Sequence, residues 1–467
     1  MNEHLFSIEN IQRIFNHSSD IEIKTDNRNS VFVYCKPLTD SGLIQSLMMP
    51  EIETSKSIYQ SLRMEVISKE EINPEKIEEA IFSGKLMIIP CGENVYFYDI
   101  SKSPSRQPDE SVMEVSIQGP KDGFVEDIAT NLGLIRKRLR SSSLVIEDYT
   151  IGRRTNTKIS LLYIKDIIYE DILNEIKGRL ASLDVDILTS THMLSEYIID
   201  RKFSLIPLIN YSGRPDFVAE GLNQGRFAII VDGAPTALIA PADLSFLFKT
   251  PEDENISFYY ASMERTIRWV GLATTTFLPG FYLALITHNV GHLPLPLIAT
   301  ITLTRIGLPF SAFIEILLML LMFELFKEGG ARLPKGIGQT IAVIGALIIG
   351  DAAIRGGITS PTTLVVIGVT AISSFTLINQ SLTGNIIFFR LFILTLSYFM
   401  GIYGFIIGYM FIFLYLTRLK SFGVPLLADI GSPDGKDILY TFIRLPFSFM
   451  KKRYASLHTK DDTRKGE

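Results

Sequence analysis

The sequence predicts a soluble α/β region of two subdomains followed by an α-helical transmembrane bundle of four to six segments. Three observations carry this. Trp269–His288, Gly356–Phe389 and Leu391–Thr417 contain no Lys, Arg, Asp or Glu. A bilayer core ~30 Å thick needs ~20 apolar residues at 1.5 Å rise each, so these runs are long enough to span it. Before Trp269 no charge-free run approaches that length, and strand-like and helix-like patterns alternate instead.

The elements follow in order. Residues 1–27 are polar and read as a mobile N-terminus, and subdomain 1 covers 28–100. There Ser30–Cys35 alternates like a strand, and Pro74 opens a short helix to about Phe82. Leu86–Ile89 and Val95–Ile100 read as strands. The stretch 101–111 (SKSPSRQPDES) has two prolines and four serines and reads as a linker.

Subdomain 2 covers 112–264. Val112–Ile117 alternates, Gly119-Pro120 turns the chain, and Asp122 is placed to cap a helix from Gly123 to about Leu139. A strand at Lys158–Ile164 and helices at Lys165–Leu180 and near Ser190–Asp200 follow. Phe227–Val231 and Thr236–Ile239 flank Asp232-Gly233, a hairpin signal.

The transmembrane domain, 265–417, shows hydrophobic segments at about 269–288, 306–323, 336–354, 358–378 and 391–416, and 418–467 is a basic tail. That tail has ten Lys/Arg against six Asp/Glu. Arg265 and Arg268 precede the first segment, and Lys327, Arg332 and Lys335 separate the second from the third. Cationic flanks mark the cytosolic side, so both termini are expected there and 289–304 outside. Starting inside at Lys335 and ending inside at Arg418 needs an even number of crossings. Three segments are visible, so one is expected to be re-entrant or broken.

The N-terminus shows no basic region leading into an apolar stretch, so no signal peptide is expected. Two cysteines, Cys35 and Cys91, exclude a disulfide framework. A net charge of −5 argues against a nucleic-acid partner. Dinucleotide, P-loop, HExxH and GxSxG motifs are absent, so neither enzymatic activity nor a cofactor is expected.

Several constellations carry two readings each. His288 and His292 have metal-ligand spacing or are interfacial histidines. Gly119–Gly123 is a structural turn or an anion site at a helix N-terminus. Arg136, Lys137, Arg138 and Arg140 form a solvated helix end or a subunit interface.

Glu315 falls at the centre of Ile306–Phe323, where an ionisable group costs at least ~2.5 kcal/mol. It serves ion passage or gating, or a structural interhelical hydrogen bond. Arg305, ten residues earlier on one continuous helix, would lie about 15 Å away by rise, too far to be its partner. Gly336–Ile354 places Thr340, Ile344, Leu347 and Asp351 on one face with Gln339 at its edge. Polar ends around an apolar middle suit a pore constriction, and the small residues equally suit helix packing.

The strings Gly119–Glu126, Thr130–Leu139, Arg214-Pro215-Asp216 and Gly225-Arg226 leading to Val231–Pro235 resemble the A subunits of GerA-type spore germinant receptors. So do Phe323–Glu328 with Arg332-Leu333-Pro334, Ile344–Gly350 and Ser421–Pro425. The resemblance covers roughly residues 30–427 in consistent order. It implies an A subunit in the spore inner membrane, partnered by membrane lipids, a transporter-like B subunit, a lipoprotein C subunit and further copies of itself. It also implies an oligomeric channel that releases cations when the complex senses a nutrient. The rival classes are a secondary transporter that binds a solute itself and a membrane-anchored sensor without conductance.

Overall fold

The computed structural model describes residues 8–15, 18–25, 30–40, 42–44, 64–68, 74–89, 94–101, 118–331, 349–377, 379–431, 435–450 and 452–464. The linker at 102–111 and the strand expected at Val112–Ile117 lie outside them.

The first soluble unit holds α1 (Ile8–Ile14), β1 (Ile21–Thr25), β2 (Val31–Cys35), β3 (Met64–Ser68), α2 (Pro74–Phe82), β4 (Lys85–Ile89) and β5 (Asn94–Asp99). Its five strands form an antiparallel sheet in the order β1-β2-β4-β5-β3. Period-2 alternation divides the side chains between two faces. Val33, Cys35, Met87 and Phe97 pack with Ile77 and Ile81 of α2, while Phe32, Tyr34, Leu86 and Tyr98 fill the other side.

The second unit holds α3 (Ile128–Arg138), β6 (Leu144–Ile151), β7 (Thr157–Ile164), α4 (Glu170–Ser182), α5 (Thr191–Ile198), β8 (Asn210–Ser212), α6 (Pro215–Asn223), β9 (Phe227–Val231), β10 (Ala237–Ala240) and α7 (Leu244–Leu247). The sheet order is β6-β7-β9-β10-β8. β9 (FAIIV) is buried at every position because helices cover both faces. Gly233 takes φ +81 in the expected β9–β10 hairpin, where a left-handed residue is needed.

The start of α3 differs from expectation. Asp127, not Asp122, caps it, accepting from the Thr130 amide at 2.8 Å. Asp122 instead grips Arg138 with both oxygens at 2.6 and 2.7 Å. The Gly119 turn therefore opens no helix. The amides of Gln118 and Gly119 donate to the Glu252 carboxylate at 3.0 and 3.3 Å, so the anion they hold belongs to the chain itself.

The tail returns to this unit. β11 (Lys420–Ser421) and β12 (Val424–Pro425) form a small ladder in which Phe422 and Val424, with Leu457, join one face of the second sheet; Leu419 and Leu426 join the other. The second soluble unit is thus built from two stretches of chain separated by the whole bundle.

The bundle holds α8 (Phe258–Thr287), α9 (Leu295–Arg305), α10 (Ala312–Ala331), a helical stretch at 349–355, α11 (Pro361–Ser374) and α12 (Gln380–Thr417), with α13 (Gly435–Phe442) beside the base of α8. The segment expected as Ile306–Phe323 is interrupted. Gly307 at φ +88 and Pro309 break the chain after α9, and helix resumes only at Ala312.

The segment expected at 391–416 is not one pass. At Gly401, φ +59 and ψ −138 reverse the chain, and α12 is a hairpin of two antiparallel arms. A Cβ on Gly404 would lie 2.0 Å from the Leu396 carbonyl oxygen, and Phe389 faces Tyr415 at 5.8 Å. In a continuous helix residues 26 apart would be separated by about 39 Å. Asn289 Oδ1, at the end of α8, accepts from the Ile402 amide at 3.0 Å and closes the turn. Only glycine tolerates both the positive φ and the approach of His288 to 2.7 Å from its missing Cβ.

Candidate functional site: a polar file inside the bundle

α11 carries Ser360 as its N-cap and then Thr363, Ile367, Thr370 and Ser374, spaced three or four residues apart on one face. All five are buried against α8 and its neighbours. Tyr282 donates to Thr362 Oγ1 at 3.1 Å, and Thr275 Oγ1 donates to the Thr370 carbonyl at 3.4 Å, so α8 and α11 run antiparallel. Thr370 and Ser374 satisfy their hydroxyls on carbonyls of their own helix, as such residues do in apolar surroundings.

A charged pair closes each end of this file. Away from the soluble units, Glu315 is 0% exposed. Its Oε1 accepts from the Ser360 amide at 2.6 Å, Ser360 Oγ at 2.8 Å and Thr359 Oγ1 at 3.1 Å. Its Oε2 lies 3.3 Å from Arg305 Nη1, at ion-pair distance but out of hydrogen-bond alignment, and neither atom has a hydrogen-bond partner among the described residues.

Two expectations are corrected here. Glu315 lies in the first turn of α10, not mid-segment, and Arg305 is its partner. The break at Gly307 folds α9 back, and distance along one helix axis no longer applies. The carboxylate sits between the N-termini of α10 and α11, whose dipoles favour negative charge.

At the other end Arg390 Nε donates to the Thr275 carbonyl at 3.0 Å and Nη1 lies 3.5 Å from Glu324. Beside this pair an apolar groove of about 570 Å³ runs between α10 and α11, with Lys327 and Asp351 at its edge. Asp351 is mostly exposed and pairs with Arg355 at 2.8 Å. Gln339, Thr340, Ile344 and Leu347 lie outside the described residues.

The basic cluster of α3 divides. Lys137 and Arg140 are exposed or nearly so, and Arg138 holds Asp122. Arg136 is wholly buried, so it is corrected from a solvated helix end or subunit contact to an internal one. It pairs with Asp20 through Nη2 at 2.7 Å and Nε at 2.9 Å, and lies 4.5 Å from the Phe82 ring. This is the joint between the two soluble units. Ser19 donates its amide to the Ile146 carbonyl at 3.0 Å alongside it.

Arg265 and Arg268, expected as flanking cations, are also buried. They grip Asp253 at 2.7 and 2.6 Å, and Arg268 Nη1 donates to the Phe248 carbonyl at 2.6 Å. Phe248 stacks on Trp269 at 4.3 Å. The base of α8 is therefore fastened to the soluble unit. Asn379 Nδ2 on Asn210 Oδ1 at 2.9 Å and the Leu205 amide on Tyr415 Oη at 2.8 Å fasten both arms of α12.

A second buried constellation joins the tail to the soluble unit. Arg226 pairs with Asp243, and Ser245 stands between Asp243 and Asp429, bonded to both. Burial opposes charge on Asp243, yet Arg226, Lys249 and the bonds from Ser245 and the Phe246 amide hold it below the usual carboxylate range. Burial and the Asp243 charge push Asp429 up to about 6. Ser245 has one proton and two carboxylates beside it, so below about pH 6 a protonated Asp429 supplies the missing donor.

Because the folded pKa is raised, the folded chain holds a proton between about pH 4 and 6 that the unfolded chain has released. Stability therefore falls as pH rises through that window. The displacement corresponds to about 3 kcal/mol at pH 7. Asp429→Asn is expected to raise the melting temperature at pH 7–8 and to flatten its decline between pH 4 and 6. An unaltered pH profile in the variant would overturn this reading.

The fold and site define a membrane-associated protein: a soluble α/β part fastened to a helical bundle in which, among the described residues, two helices, one of them folded on itself, are long and apolar enough to cross a bilayer. The family model described as Bacillus/Clostridium GerA spore germination protein matches residues 9–456, and the chain belongs to that family. It is 39% identical over 451 residues to spore germination protein XA of Bacillus anthracis, covering 94% of this chain and 92% of that one. It is 36% identical over 391 residues to spore germination protein B1 of Bacillus subtilis (strain 168), covering 84% and 81%. The crystal structure of the N-terminal domain of the A subunit of the Bacillus megaterium spore germinant receptor GerK3 aligns at 28% identity and a TM-score of 0.36, covering 50% of this chain and 94% of that one.

Proposed function

We propose that this chain is the A subunit of a nutrient germinant receptor in the spore inner membrane, and that it conducts cations rather than catalysing a reaction. The observation that carries the reading is the buried file on α11. Ser360, Thr363, Thr370 and Ser374 bracket Ile367, with Arg305–Glu315 at one end and Glu324–Arg390 at the other. Hydroxyls offer oxygen ligands to a passing cation, and one apolar side chain between them makes a constriction that stays dry when closed.

Assembly with further copies, a transporter-like B subunit and a lipoprotein C subunit belongs to the same proposal, as does signalling of nutrient to ion release. The membrane passage is multi-pass with both termini cytosolic. The hairpin at Gly401 supports this, because it supplies the additional crossing that the cationic flanks require.

Electrical recording of the purified full chain in liposomes tests the reading. Cation conductance is expected, raised several-fold by Ile367→Ala at normal protein abundance. Electrical silence of both forms together with saturable solute uptake would replace it with a transporter. Silence without uptake would leave an anchored sensor.

A further inference from the structure

Between α6, the 3-10 turn Pro251–Glu254 and the base of α8 lies a cavity of about 100 Å³, room for several water molecules. Its charged groups are unequally matched. Asp216 is held by Arg214 at 2.6 Å and Asp253 by Arg265 and Arg268. Lys249 is turned onto Tyr454, donating to its hydroxyl at 2.8 Å with the ring 4.0 Å away. Glu220 and Glu254 remain, with two guanidiniums nearby; Arg444 is turned onto the carbonyls of Ile256 and Glu254 at 2.7 and 3.4 Å, while its charge still reaches Glu254. Arg464 of the tail lies 2.5 Å from Glu220 and 3.8 Å from Glu254.

A second observation points the same way. Gln224 forms part of the cavity wall and is 5% exposed, with its Nε2 on Glu220 Oε1 at 2.9 Å. Its Oε1 is buried and has no hydrogen-bond partner among the described residues, and an orphaned acceptor of this kind costs about 1–3 kcal/mol. Surrounding protein and the Glu220 charge push Glu254 up to about 8, even with 41% of its side chain open. At neutral pH the Glu220–Glu254 pair therefore keeps a proton on Glu254.

We propose that this cavity binds a small organic cation of the guanidinium or primary-ammonium class, in competition with Arg464. A ligand carrying several N–H donors and a positive charge takes the place of the Glu254 proton, which leaves to solvent, so that both carboxylates and the amide oxygen accept from it. Phe217 and Phe246, stacked at 5.0 Å, give the ligand carbon an apolar wall. Ligands with their own carboxylate, free amino acids included, are repelled by the glutamate pair. Among the described residues no three His, Cys, Asp or Glu converge as metal ligands, which favours an organic cation over a metal ion.

The position gives binding a consequence. Glu254 adjoins Asp253, which grips Arg265 and Arg268 at the base of α8. A ligand that displaces Arg464 releases the last turn of the tail and draws on the turn that fastens the first bundle helix.

Isothermal calorimetry on the detergent-solubilised full chain, with methylguanidinium as probe and sodium at equal ionic strength as control, tests this. Arg464→Ala, or the milder Arg464→Gln, is expected to tighten binding at least ten-fold. Glu220→Gln with Glu254→Gln is expected to weaken it at least ten-fold, with melting temperature checked in each variant. Absence of saturable binding to both Arg464 variants, or binding undiminished in the double glutamine variant, would overturn the assignment.

Discussion

Glu315→Leu is expected to destabilise the bundle by about 3–5 kcal/mol, because it strips a partner from a buried charge. Arg305 would lose its counter-charge, and three donors on Ser360 and Thr359 would lose Oε1. Glu315→Gln separates the two effects. Its amide oxygen can still accept from Ser360 and Thr359, but its NH2 then faces Arg305 Nη1, donor against donor. Glu315→Gln alone is therefore expected to be defective, and Arg305→Met in the same chain to restore much of the loss. Thermal unfolding of the solubilised chain measures the stability. Spore germination at equal protein level measures the function. A leucine variant that melts with the unaltered chain would show that the carboxylate is not held as described.

Arg136→Met should act as strongly on the soluble part. Asp20 and Arg136 are both fully buried and meet across the joint between the two soluble units. Removing the guanidinium strands the carboxylate in an interior where burial and the Asp20 charge already push the Cys35 thiol well above its usual range. A loss of about 3–5 kcal/mol is expected, with the two units separating in limited proteolysis. Asp20→Asn added to Arg136→Met removes both charges and should recover most of it. If the double variant melts no higher than the single one, the joint rests on the Ser18–Ile146 hydrogen bonds instead.

Much was legible in the sequence because it depends on short-range regularities. The β2, α2, β7 and β9–β10 elements stand where alternation, Pro74 and Asp232-Gly233 put them, since strand and turn preferences act over a few residues. The long charge-free runs marked the apolar helices for the same reason. The file on α11 was legible in principle: Ser360, Thr363, Thr370 and Ser374 repeat at helical spacing inside such a run. The pore expectation on Gln339, Thr340, Ile344 and Leu347 falls outside the described residues.

What hydropathy cannot express is where an apolar chain turns. Leu391–Thr417 reads as one segment, and the two arms show only in the Gly401 backbone, in its contacts with His288 and Asn289 and in Phe389 facing Tyr415. Likewise Arg305 and Glu315 are ten residues apart, and a rise calculation separates them until Gly307 breaks the helix.

The sequence by itself determined the two-part character of this protein and the kind of element at most positions, because periodicity and desolvation of charge act locally. Tertiary structure alone decided which charges meet. Asp20 with Arg136, Glu315 with Arg305, Glu324 with Arg390 and Asp429 with Asp243 are brought together by chain reversals and by the tail's return. A buried charge in low dielectric accepts whichever partner the fold delivers, however far away it lies along the chain.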